Sequence, residues 1–126
     1  MGTFLDGEAA VDALSLDLAW VEQELKVKPQ DAGVLTVRGD SMEPTLQHGD
    51  MLLFTKRLPE LLFEGIYLIR CNALLMVKRL LLQPGHRVLV VSDNPAYPPF
   101  EVSEQAELTD FAVIGRVAWT GRRLRA

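Results

Sequence analysis

A single cysteine, two histidines and no surplus of positive charge remove several classes of function from consideration. Cys71 has no second cysteine to pair with, so no intrachain disulfide forms and a reducing compartment fits. Its setting, "LIRCNALL", reads as a strand end, where a small buried thiol is the expected role. His48, His86 and Cys71 lie far apart and match no ligand spacing, so neither a metal nor another cofactor is expected. The 13 basic and 17 acidic residues give a net charge of −4. That balance argues against a free-standing nucleic-acid binder, which needs concentrated positive surface to hold phosphates. A late cluster, Arg116, Arg122, Arg123 and Arg125, reads as a solvated tail. No apolar run approaches bilayer length, and the opening "MGTFLDGEAAVDA" is no signal peptide. The expectation is a soluble, cytoplasmic protein without a membrane partner.

What is present points to one globular domain. The 126 residues are 48% hydrophobic and 24% charged, enough for a single core. Residues 1–13 are small, acidic and aperiodic and read as a linker or arm; residues 14–126 read as the domain. Ser15 can cap a helix with Asp17 in its first turn, and Leu14, Leu18, Val21 and Leu25 form one stripe. Six short β-rich runs follow: 34–38, 50–56, 65–71, 74–82, 87–92 and 111–119. Pro and Gly signals separate them, and Asn72-Ala73 is short enough to close a hairpin. The predicted fold class is mainly β: a small coiled antiparallel sheet or partly open barrel with one N-terminal helix.

Two residues stand out against this background. In "VRGDSMEPTLQHGD" Ser41 sits at a corner straight after a strand-like run. It could belong to an adhesion tripeptide with Arg38-Gly39-Asp40, cap a helix, or act as a nucleophile. The adhesion reading needs an extracellular surface, which the absence of an export signal disfavours. Lys78 lies in "LLMVKRLLL", where alternation places it on the face of Leu74, Met76 and Leu80. Such a lysine either snorkels to water or is desolvated, which lowers its pKa and makes it a base near neutral pH. A serine hydroxyl needs a base to become a nucleophile, and Ser-Lys pairs supply one without histidine. The rival triad of Ser41, His48 and Asp50 crowds into one loop, with nothing to place the imidazole between the other two groups. His86, beside Pro84-Gly85, reads as a solvated turn residue.

At these residues the chain resembles a known family. "VRGDSMEPTLQHGDMLLF" followed by "GIYLIRCNALLMVKRL" is similar to the S24 Ser-Lys peptidase domain of LexA-type and phage-repressor-type (Cro/C1-type) self-cleaving transcription regulators. The likeness continues through "VSDNPAYPPFEV" and "VIGRVAWTGRRL", and covers roughly Ser15 to the C-terminus. It implies Ser41 as nucleophile, Lys78 as general base, and the backbone N–H groups of Ser41 and Asp40 as oxyanion donors. The implied substrate is the protein's own linker, cut at an Ala-Gly or similar bond in an intramolecular attack. The implied partners are a second copy of the domain, operator DNA held by a helix-turn-helix domain, and, in many members, a RecA filament. Met42, Glu43 and Pro44 need only a structural account: packing under the turn and fixing its shape.

The sequence departs from that pattern in two ways. No helix-turn-helix fits before the domain, so an excised C-terminal fragment or a stand-alone accessory protein is expected. No cleavage bond is clear either: Ala32-Gly33 has suitable letters but abuts a strand, Ala9-Ala10 lies in the arm, and the bond can also lie upstream. Two other readings remain open on these residues. One is a signal-peptidase-like Ser-Lys enzyme, which would need an anchor; the other is a dimerisation and effector module whose cleavage is vestigial.

Overall fold

The computed structural model describes residues 17–59, 64–103 and 110–124. Seven antiparallel strands form one open sheet: β1 (Ala32–Thr36), β2 (Met51–Thr55), β3 (Gly65–Cys71), β4 (Leu74–Gln83), β5 (Arg87–Val91), β6 (Phe100–Ser103) and β7 (Phe111–Gly121). Their order is β1-β2-β7-β3-β4-β5-β6, so β1 and β6 are the edges and the longest strand, β7, runs through the middle. Register breaks against β2 (at Leu53/Phe54) and against β3 (at Leu68/Ile69) bend the sheet on both sides of β7. The mainly β architecture matches the sequence reading.

Among the described residues one α-helix, α1 (Leu18–Leu25), precedes the sheet. Its cap is a correction. Asp17, expected inside the first turn, is the N-cap and accepts from the N–H groups of Ala19 (2.9 Å) and Trp20 (3.4 Å). Ser15 and Leu14 lie outside the described residues. The expected stripe holds only in part, because Val21 is fully buried while Leu18 is exposed. Lys26 closes the helix in a left-handed conformation.

Side-chain alternation on β2 explains how both faces of the sheet are covered. Leu53 joins Val21, Val27 and Ala32 beneath α1. Leu52 and Phe54 point the other way, into a cluster with Leu35, Leu68, Met42 and Leu46. A third cluster, built on Tyr67, Ile69, Leu80, Val88 and Val90, fills the wing made by β3, β4 and β5. The β3–β4 hairpin turns at Asn72 (φ 52°) and Ala73 (φ 67°), as the two-residue loop predicted.

Two differences from the sequence reading have simple causes. The first strand covers 32–36 rather than 34–38, yet Val37 keeps exchanging hydrogen bonds with the loop, donating to Asp50 O (2.8 Å) and accepting from Gly49 N (2.9 Å). Strand β6 was not anticipated: it is a four-residue edge strand directly after Pro98-Pro99, with only Val102 buried. Within β1, Gly33 lies opposite Phe54, and a Cβ there would stand 2.4 Å from the ring. The small residue is needed to seat that aromatic.

Candidate active site

Ser41 opens a tight turn that the core holds from below. Glu43 N donates to Asp40 O (3.2 Å) and Leu46 N to Met42 O (2.9 Å), while Met42 and Leu46 are buried. Burying a methionine side chain contributes about 1.5–3 kcal/mol, so Met42 anchors the turn as well as filling space. Gly39, with φ 84°, lets the chain enter the turn, and the Glu43–Pro44 bond is cis. Ser41 and Lys78 both line a cavity of about 210 Å³ whose apolar lining includes Leu35, Val37, Met42 and Leu68.

Lys78 reaches the same point from the middle of β4, opposite Tyr67 of β3. Its amine donates to Ser41 Oγ at 2.9 Å and to Ser92 Oγ at 2.8 Å. The Tyr97 ring centroid lies 5.7 Å away. No carboxylate pairs with the amine among the described residues. Burial pushes its pKa below the ordinary lysine value, because desolvation penalises the ammonium and nothing anionic offsets it. The half-buried amine ends on two hydroxyls, an arrangement that favours desolvation over snorkelling.

A segment to which the sequence reading assigned no role ties these parts together. After β5, Asp93 takes two bonds from Arg79, to Nε and NH2 at 2.8 Å each, and a third from Thr45 Oγ1 at 2.6 Å. The Arg79 guanidinium holds the Asp93 carboxyl below its usual range. Asp93 N points at Met42 Sδ (3.4 Å), Asn94 N donates to Ser41 O (3.0 Å), and Asn94 Nδ2 donates to Asp40 O (3.0 Å). The Tyr97 hydroxyl donates to the Asp40 carboxylate, which raises the phenol's pKa. Residues 92–97 thus clasp the Ser41 turn and the Lys78 strand at once. Every one of these contacts spans long sequence separations; the only local signal is the turn-forming "SDNP".

The remaining candidates fall elsewhere. His48 Nδ1 accepts from Gly39 N (3.0 Å), and Asp50, 1% exposed, is gripped by Arg122 through Nε (2.8 Å) and NH2 (2.9 Å). Neither residue hydrogen-bonds Ser41, so the rival triad is not assembled. The Asp50 pair also corrects the solvated-tail reading for Arg122. Cys71 is buried at the end of β3, as expected, and His86 lies in the β4–β5 turn. Among the described residues neither Asp40 N nor Ser41 N donates a hydrogen bond. Ala32-Gly33 is paired within β1 with Ala32 buried, so that bond is not presented to Ser41; Ala9-Ala10 lies outside the described residues. Among the described residues no group of metal-ligating side chains occurs, and no helix is long and apolar enough to cross a membrane.

Residues 3–118 match the family model described as Peptidase S24-like. The chain belongs to the S24-like peptidase family. Among curated proteins it is 38% identical over 81 residues to the 26 kDa repressor protein of Escherichia phage HK022, covering 64% of this chain and 34% of that repressor. It is 29% identical over 101 residues to an uncharacterized HTH-type transcriptional regulator of Haemophilus influenzae, covering 79% of this chain and 41% of the regulator. The S24-like chain therefore spans well under half the length of the curated relatives it matches.

Proposed function

We propose that this S24-like chain is the self-cleavage and dimerisation domain of a DNA-binding transcriptional repressor, working in the cytoplasm. The observation that carries the reading is the 2.9 Å contact between Lys78 Nζ and Ser41 Oγ in a site that depresses the lysine pKa. In its neutral form the amine reverses its role in that hydrogen bond and accepts the hydroxyl proton. Ser41 Oγ then attacks the carbonyl carbon of a peptide bond laid in the cavity. The oxyanion accepts from the N–H groups of Ser41 and Asp40. When the C–N bond breaks, the Lys78 ammonium returns the proton to the leaving amine. A water, deprotonated by Lys78, hydrolyses the ester and frees Ser41.

The substrate is the protein's own linker, delivered in cis, so a high effective concentration replaces tight substrate binding. The relatives' names, a repressor and an HTH-type regulator, support the wider role. Dimerised domains would pair two helix-turn-helix heads on an operator, and cutting the linker would separate heads from dimer and relieve repression. A RecA filament is the candidate trigger.

The test is incubation at alkaline pH of the protein carrying its linker and DNA-binding head, read by gel for two fragments. Fragments are expected from the native sequence and none from Ser41→Ala. A native protein that stays whole under prolonged incubation would reduce the domain to a pairing module.

A further inference from the structure

We infer that Ser92 is a positioning residue of this site, its hydroxyl holding the Lys78 amine so that the nitrogen lone pair faces Ser41. The inference rests on the Ser-Lys reading above and adds a third member to it. A neutral primary amine carries two N–H bonds and one lone pair, and turns about its Cε–Nζ bond. A base held only by the hydroxyl it must deprotonate presents hydrogen or lone pair to that hydroxyl with no preference. A second acceptor in a fixed place removes the ambiguity. Ser92 Oγ, 2.8 Å from the amine, is such an acceptor, because it claims one N–H and turns the lone pair toward Ser41.

Ser92 stands on fixed ground. Its predecessor Val91 is paired with Arg79 in the β4–β5 ladder, and its successor Asp93 is held by Arg79 and Thr45. Other charged or titratable groups around the amine are already engaged or make no hydrogen bond to it. Arg79 is spent on Asp93, Asp40 receives the Tyr97 hydroxyl, and Tyr97 offers the amine its ring face. Arg38, on the segment after β1, lines the cavity without bonding to the amine.

Removing the Ser92 hydroxyl has two separable effects. Loss of orientation lowers the rate at which Ser41 reacts once Lys78 is neutral. Loss of an acceptor that favours ammonium over amine shifts the apparent pKa of Lys78 further down. Mere damage to the site slows the reaction without moving its midpoint toward lower pH.

A fluorophosphonate probe reads both effects on this chain without needing the linker. Ser41 Oγ forms a bond to phosphorus, fluoride leaves, and Lys78 takes the hydroxyl proton; the adduct is followed by intact-protein mass from neutral to alkaline pH. The native chain is expected to label at Ser41, and neither Ser41→Ala nor Lys78→Ala to do so. Ser92→Ala should lower the alkaline plateau about tenfold, the scale of one oriented hydrogen bond, and move the midpoint to lower pH. Ser92→Thr should restore both. If a thermal melt shows Ser92→Ala unfolded, Ser92→Cys, whose sulfur is a weak acceptor, takes its place. Lys78-dependent labelling with an unchanged plateau in Ser92→Ala, or with a midpoint that stays or rises, would overturn the role of Ser92 and leave the Ser-Lys pair standing. A native chain that never labels, or labels without Lys78, overturns both.

Discussion

At the Lys78 corner an amine sits between two hydroxyls with no anion bonded to it, whereas at the Asp50 corner a carboxylate is clamped by both arms of one guanidinium. Asp50 is buried and Lys78 half-buried, yet among the described residues only Asp50 receives a counterion. The consequence for proton affinity follows from that difference. Burial pushes Lys78 toward its neutral form. Asp50 is pulled toward its charged form, because the Arg122 bond outweighs the desolvation that opposes it, and Gln47 N adds a further donor at 2.9 Å. An isolated buried ion tends to lose its charge; a paired one keeps it and becomes structure. The first arrangement supports the base role proposed for Lys78; the second is a brace between the Ser41 loop and the segment after β7.

The comparison is broken most severely at Lys78. Lys78→Ala should slow linker cleavage by about 10²–10⁴-fold, the usual contribution of a general base. Lys78→Arg should be equally inactive on the same gel, since a guanidinium keeps its proton. Cleavage by the arginine variant would show that a neutral amine is not required. Next in size, Asp50→Asn should cost about 1–3 kcal/mol in a denaturant titration, through loss of the charged pair and its bonds. Asp50 has a depressed folded pKa, so its contribution is complete above the ordinary value of 3.8 and disappears as pH falls through the folded value. The gap between native and variant should therefore close in acid; a gap that persists there would mean the pair is not what Asp50 supplies.

The smallest effect has the opposite sign. Lys78→Met should raise the melting temperature slightly at neutral pH, because it removes an ammonium held in a poorly solvated place. With the folded pKa below the unfolded one, the native chain carries this penalty at lower pH and sheds it as pH rises through the folded value toward 10.5. The advantage of methionine should shrink along that climb in melts taken at successive pH values. A variant less stable than the native chain throughout would indicate that the two serine contacts outweigh the desolvation.

The sheet was legible where strands are long and periodic, as in β3, β4 and β7, and where Asn72-Ala73 dictated a hairpin. It was not legible at β6, whose four residues bury one side chain and follow two prolines. At the helix start the sequence reading put the cap at Ser15 and Asp17 in the first turn, whereas hydrogen bonding makes Asp17 the cap. The pairing of Ser41 with Lys78 was suggested by a lysine among leucines taken together with the family resemblance. The groups that set their geometry were not: Ser92, Asp93, Asn94 and Tyr97 act through contacts that no periodicity encodes. The Asp50–Arg122 clamp joins residues 72 apart; in sequence Arg122 read as part of a solvated tail and Asp50 as a member of the rival triad.

The clasp formed by residues 92–97 has one more consequence. Ser41 lies in the turn after β1 and Lys78 on β4, strands that are not neighbours in the sheet, so bending of the sheet would by itself open or close the space between them. Both are instead referenced to one short span, the serine turn through Asn94 and Thr45–Asp93, the amine through Ser92. Like two instruments bolted to a common plate, they keep their mutual alignment while the frame beneath them flexes.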